Sequence, residues 1–300
     1  IAEAPEREKA VLEALKVYIS CQTKFNLYYN KYPHMLHWRD GKLHPSFNQS
    51  QAATRRASCA GPNFQQMPKH PKIEGAKVEF RECIVPHKPN ALVVSLDFKA
   101  QELVMISYYS RDPNMLACFV GDNKKDMHAL TGLEILRRKT GEEVSYEEFM
   151  GILEDVKHER HKEVKKFRAM GKTTNFATEY GAMAEKLSQT LMVPEDDAQV
   201  FIDAKEAIYP QVAVWKDSVI AGAVENGYAT TLMGARRHLA AALTSGDRWE
   251  SSKAERQAVN YVIQGSCAEQ TKLAQGKAWR SGLLFKYDCS FYGPIHDEMV

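Results

Sequence analysis

The sequence predicts an α+β fold in which one sheet-based subdomain carries a large helical insertion. Two observations lead to this reading. Strand-like segments lie near both ends of the chain, at 91–96 and 283–300. Between them, 126–181, 196–226 and 251–280 carry helical periodicity, with a short hairpin pattern at 227–240.

The elements follow in order. Residues 6–31 read as one helix, with Val11, Leu12, Leu15, Val17, Tyr18 and Ile19 set among charges. Residues 33–75 are rich in Pro, Gly, Asn, Gln and Ser and read as loops and short strands. Ala91–Leu96 reads as a short buried strand ending at Asp97, followed by a helix from Gln101 to Ser110. A charged segment, Arg137 to His161, interrupts the 126–181 region. Pro194, followed by Glu195, Asp196 and Asp197, marks a helix start. The last segment reads as a strand, a turn at His296-Asp297 and the start of a returning strand. Pro294 removes a ladder donor, so a bulge or unpaired position is expected there.

Composition bounds the function only loosely. With 300 residues, 44% hydrophobic and 26% charged, the chain is of ordinary globular type. No apolar run is long enough to span a bilayer, no signal-peptide pattern is present, and an intracellular, cytoplasmic setting without membrane partners is expected. Six cysteines with no C-x-x-C pair argue against a structural zinc site and a disulfide framework. A net charge of +2 does not by itself predict nucleic acid. The basic run from Lys157 to Lys172 taken alone is a solvated helix face. The chain begins at Ile1 and stops at Val300 inside an apolar stretch, so it is expected to be an internal piece of a longer polypeptide.

Chemistry concentrates in two places. Asp97 and Asp297, each beside a strand end, are oxygen ligands suited to a hard cation, and a pair on neighbouring strands would hold two metals about 4 Å apart. Each alone is equally a turn residue. Arg168, Lys172, Phe176 and Tyr180 recur every fourth residue, so on a helix they form one stripe. Two cations followed by two aromatic rings suit a nucleoside triphosphate, phosphates on the cations and sugar and base on the rings. Periodicity alone favours the plainer alternative, a core helix with aromatics inward and cations snorkelling.

In combination these motifs resemble family A DNA polymerases, the bacterial DNA polymerase I type and its phage relatives. Val93–Leu103 resembles motif A, an apolar strand followed by D-x-x-x-x-E-L. Arg168–Gly181 resembles motif B, R-x-x-x-K-x-x-x-F-x-x-x-Y-G. His296-Asp297-Glu298 resembles motif C. Arg56-Ala57-Ser58 with Pro62–Pro68, Asp126-Met127-His128, and Glu255-Arg256…Asn260…Gln264-Gly265 resemble three further segments, all in the family's order.

The resemblance implies a right-hand polymerase with an antiparallel β-sheet palm: a helix at 1–30 joining thumb to palm, palm at 31–115, inserted helical fingers at 116–245, and a truncated second part of the palm at 246–300. It implies a DNA-directed DNA polymerase using two Mg²⁺ ions, replaceable by Mn²⁺. Asp97, Asp297 and Lys172 would be catalytic, and Asp97, the Phe98 carbonyl, Asp297 and Glu298 would form the metal site. His128, Arg168, Lys172, Phe176, Tyr180 and the steric gate Glu102 would bind the dNTP. Arg56, Gln65, Arg256, Asn260, Gln264 and His296 would contact primer–template DNA. A processivity factor or other replisome proteins are further partners that this reading allows, in a bacterial or phage-infected cell. Departures from the bacterial pattern are Lys99-Ala100-Gln101 in place of S-Q-I, Val104 in place of Arg, and a longer stretch between His128 and Arg168. They lean towards a phage-like lineage. The alternatives are a single-subunit RNA polymerase, against which Glu102 and Glu298 argue, and an inactive DNA-binding homologue. A generic metal phosphohydrolase would explain the His296-Asp297 pair and nothing else.

Overall fold

The structure is a computed structural model that describes residues 6–67, 80–86, 88–179, 181–295 and 298–300. In chain order its elements begin with α1 (Glu6–Lys24), β1 (Ser46–Asn48), β2 (Ser58–Ala60) and β3 (Leu96–Asp97). There follow α2 (Gln101–Ser110), α3 (Pro113–Leu116), α4 (Met127–Thr140), α5 (Tyr146–Glu154), α6 (His161–Glu179), α7 (Ala184–Leu191), α8 (Glu195–Ile208) and α9 (Pro210–Asn226). The chain ends with β4 (Tyr228–Thr230), β5 (Arg236–His238), α10 (Ala240–Leu243), α11 (Arg248–Arg280), α12 (Leu283–Lys286), β6 (Pro294–Ile295) and β7 (Glu298–Met299). No helix among the described residues is long and apolar enough to cross a membrane.

Two compact units divide the chain. One comprises Ile1–Lys99 with Cys267–Val300, and the other Ala100–Ser266. The first holds the small sheets: β1 pairs antiparallel with β2, and β3-β7-β6 form a three-stranded antiparallel sheet with Asp97 opposite Glu298. Beside Pro294, the N–H groups of Tyr292 and Gly293 both donate to the Val300 carbonyl, at 2.8 and 3.4 Å. Two residues against one is the pattern of a bulge. Gly293 is required there, since a Cβ would lie 2.5 Å from the Phe47 ring.

The second unit is helical and contains four apolar clusters, one of them built on Leu103, Ile106, Met115, Tyr209 and Ile263. Asp126 caps α4, Ser145 caps α5, and acidic Glu195, Asp196 and Asp197 fill the first turn of α8 behind Pro194, as the sequence signals require. Region 196–226 is two helices rather than one. Pro210 has no N–H, and Tyr209 before it is driven to φ −120°, ψ 58°, which ends α8 and starts α9.

Two expectations need correction. Ala91–Leu96 is not a buried strand: only Leu96–Asp97 pairs, and Leu92 and Val94 are 88% and 60% exposed. A strand is buried by what packs on it, and these side chains instead line an open groove of about 730 Å³ with Trp279, Leu284, Phe291 and Met299. Residues 283–293 are not a strand either. Gly282, at φ +73°, starts the short helix α12, and regular pairing begins only at Pro294.

Candidate active site

The helical unit assembles its side chains on the α4–α6 pair. These helices approach through glycine: a Cβ on Gly171 would stand 2.5 Å from the Gly132 nitrogen and the His128 carbonyl oxygen, and one on Gly132 would stand 2.6 Å from the Phe167 carbonyl oxygen. No other residue permits that contact. It brings the first turn of α4 against the middle of α6.

On α6, Val164, Phe167, Met170 and Ala177 face the apolar clusters. Arg168 is half-buried, while Lys172 and Phe176 are exposed. The aromatic at 176 is therefore not an inward core residue, and the plainer reading of the stripe does not fit it: Phe176 is 42% exposed. Its ring lies 5.5 Å from that of His128. Tyr180, the last member of the stripe, is outside the described residues.

Asp126 works with both oxygens. Oδ1 accepts the N–H groups of His128 and Ala129 at 2.8 and 2.9 Å and caps α4. Oδ2 accepts from Nε and Nη2 of Arg168 at 3.0 and 2.6 Å. Burial pushes the Asp126 carboxyl up, but Arg168 and the Ala129 N–H outweigh it and hold it below the usual range. Asn175, fully buried, accepts from Thr131 Oγ1 at 3.0 Å and lies 3.2 Å from His128 Nδ1. Burial lowers the pKa of His128. Asp126 opposes this, Arg168 and Lys172 add to it, and the net direction is down. Sequence pattern gave no sign of Asn175 or of the two glycines, because their role lies in packing between helices.

In the sheet unit, Asp97 is an exposed carboxylate at the end of β3, followed by half-buried Phe98. Glu298, opposite it on β7, is buried and its two oxygens accept from Arg81 and Ser95: Arg81 Nη1 at 2.8 Å and the Ser95 hydroxyl. Arg81 and Ser95 were not legible as site residues, since Arg81 lies outside the motifs and Ser95, within the motif A stretch, is not one of its defining positions. His296 and Asp297 lie outside the described residues. Gln65 donates from Nε2 to the carbonyls of Ala57 and Pro294 at 2.9 and 3.5 Å, so its amide ties its own loop to β6. Arg56 is half-buried nearby in sequence, and its neighbour Arg55 pairs with Glu269 at 3.2 Å.

The remaining predicted positions lie in the helical unit. Glu102 sits half-buried in the first turn of α2. Arg256, Asn260 and Gln264 recur every fourth residue along α11, Arg256 exposed and Asn260 and Gln264 half-buried. Arg256 and Asn260 line a cavity of about 540 Å³ together with Gly181, Lys205, Lys216 and Ser252. Gly181, at φ +76°, would place a Cβ 2.9 Å from the Arg256 side chain.

The profile of DNA polymerase family A matches residues 2–300. The chain belongs to that family. Family A polymerases are a metal-dependent kind. Among family relatives, the thermostable DNA polymerase I of Thermus aquaticus is 28% identical over 300 residues, which cover all of this chain and 33% of that protein. DNA polymerase I of Geobacillus stearothermophilus is 31% identical over 240 residues, 80% of this chain and 24% of that protein. The chain thus spans about a third or less of the curated family relatives it matches. The family fold is also seen in the POL domain of Pol1 from M. smegmatis, solved in complex with DNA primer-template and dNTP. That domain superposes with a TM-score of 0.71 at 24% identity, covering 96% of this chain and 44% of that one.

Proposed function

We propose that this chain carries the nucleotidyl-transfer centre of a DNA-directed DNA polymerase. The single observation that carries the reading is the outward face of α6. Arg168, Lys172 and Phe176 lie along it, with His128 held beside Phe176 by the α4–α6 contact. Arg168 is anchored by Asp126, while Lys172 pairs with no carboxylate among the described residues and is available to a ligand. Cations with an adjacent aromatic face fit a triphosphate and its sugar. The M. smegmatis relative was solved with primer-template and dNTP, which agrees with that assignment.

In this reading the primer 3′-hydroxyl gives up its proton to water and its oxygen attacks the α-phosphorus. The bond from that phosphorus to the bridging oxygen breaks, and pyrophosphate leaves. Arg168 and His128 hold the phosphates, and Lys172 gives the leaving group its proton. Asp97, the Phe98 carbonyl and Asp297 would hold two Mg²⁺ ions, which when bound would supply electrostatic stabilisation of the attacking and leaving oxygens. With both oxygens of Glu298 occupied by Arg81 and Ser95, its part is to brace Asp97 across the ladder rather than to ligate. Glu102 and Tyr180 form the gate against a ribose 2′-hydroxyl, and Arg56, Arg256, Asn260 and Gln264 read the acceptors shared by all base pairs in the minor groove.

Primer extension tests the proposal. The full-length protein extends a primer with dNTPs, dependent on template sequence, and rejects NTPs. Extension with NTPs at comparable rates would favour a single-subunit RNA polymerase, and none with either would favour an inactive homologue.

A further inference from the structure

Among the described residues, one group of metal-ligating side chains brings three donors together, and it is not at Asp97. It is His37, Asp40 and His44, whose ligand atoms all lie within 4.8 Å of one another. Asp40 Oδ1 is 3.7 Å from His37 Nδ1, and Oδ2 is 2.9 Å from His44 Nε2. Donors bound to a tetrahedral zinc at about 2.0–2.1 Å stand roughly 3.3 Å apart, so these distances bracket the requirement. The absence of C-x-x-C speaks against zinc held by thiolates; the donors here are imidazole and carboxylate.

The arrangement is set by the backbone of one short loop. His37 N–H donates to the Lys42 carbonyl and Gly41 N–H to the His37 carbonyl, both at 2.8 Å. Gly41 supplies the left-handed turn at φ +64°. The Lys42 N–H also donates to Asp40 Oδ1 at 3.1 Å and fixes that carboxylate. Arg39 N–H points at His37 Nδ1 from 3.4 Å. The network therefore assigns the proton to Nε2 and leaves the Nδ1 lone pair inside the loop. A hydrogen bond explains why His44 meets Asp40. His37, at 3.7 Å from Asp40, is too far to hydrogen-bond to that carboxylate, yet packs its ring 5.2 Å from that of His44.

We propose that His37, Asp40 and His44 bind a borderline divalent cation of the Zn²⁺ class, with the fourth position taken by water. Two imidazoles select zinc over Mg²⁺, which takes oxygen ligands. The site clips the loop 37–44 and is chemically separate from the nucleotidyl-transfer metals.

The test is zinc binding to the chelator-treated full-length protein in millimolar Mg²⁺, measured by titration with ZnCl₂ alone. Wild type should bind one equivalent that H37A and H44A lose or bind at least tenfold more weakly, a loss of the size seen for metal-site changes. D40N, which keeps shape and removes charge, should weaken it as well, and D97A should retain it. All three loop positions are exposed, so circular dichroism of the zinc-free variants should match wild type. Equal stoichiometry and affinity in wild type, H37A and H44A would overturn the proposal, as would binding abolished by Mg²⁺.

Discussion

Asn175 Nδ2 lies 3.2 Å from Nδ1 of His128, inside a fully buried amide network that Thr131 completes. An amide N–H can only donate, so His128 is held with its lone pair on Nδ1 and its proton on Nε2, the neutral form. Burial acts in the same direction and lowers its pKa. The imidazole therefore presents an Nε2–H donor at neutral pH without a full charge.

A pH dependence follows. His128 should titrate below the ordinary histidine value of about 6.5. The folded state then binds fewer protons than the unfolded one in the window between the two pKa values. Stability contributed by this group is present above the unfolded value and lost as pH falls through that window. Asn175→Asp places a carboxylate against the ring and should raise the midpoint, read from the His128 ring protons by NMR. An unchanged midpoint would remove Asn175 from the account.

Gly171→Ala should be costly. Its Cβ would meet backbone atoms at 2.5 Å, which cannot move aside as a side-chain end can. Overpacking of this kind costs about 1–3 kcal/mol. Because α4 must shift, His128 should leave Phe176 and nucleotide affinity should fall along with stability. A variant of normal stability and KM would show that the helices do not need this contact.

Phe176→Tyr addresses the role of the exposed ring. A tyrosine hydroxyl there can stand in for the missing 3′-hydroxyl of a dideoxynucleotide beside the β-phosphate. An unpartnered oxygen in a closed site costs about 1–3 kcal/mol, more when charged. Phe176 should thus enforce discrimination of the order of a hundredfold, and tyrosine should largely remove it with little effect on normal extension. Since residue 176 is 42% exposed, a new hydroxyl is not buried and should not destabilise the helix. Single-turnover incorporation of a dideoxynucleotide and its deoxy counterpart gives the answer.

Lys205 and Glu179 form a buried ion pair between α8 and the end of α6, with Lys205 Nζ also donating to Thr178 Oγ1 at 2.6 Å. Burial pushes the Glu179 carboxyl up, and the neighbouring Lys205 more than reverses it. Lys205→Met should cost about 3–5 kcal/mol by leaving a buried charge unpaired. The double change with Glu179→Gln should restore much of it, as chemical denaturation will report.

Much of this was legible in the sequence. The four-residue spacing of Arg168, Lys172 and Phe176 put them on one face of α6, and Pro194 followed by Glu195, Asp196 and Asp197 announced the start of α8. Periodicity could not say which face was covered: Phe176 read as a core aromatic and is exposed, while Leu92 and Val94 read as buried and are exposed. Burial depends on what packs from elsewhere, which local pattern does not contain. The close approach at Gly132 and Gly171, the Asn175 amide, and the Arg81 and Ser95 bonds to Glu298 are long-range and carry no periodic signal. Nor did the split of 196–226 register, although Pro210 was its visible cause.

The most direct measurement is template-directed primer extension by the full-length protein and its Asp97→Ala variant, with Mg²⁺ and dNTPs, alongside primer–template binding. The account predicts extension by the parent, its loss in Asp97→Ala, and nearly equal DNA affinity, since duplex binding rests mainly on phosphate contacts. Comparable extension by Asp97→Ala would contradict it.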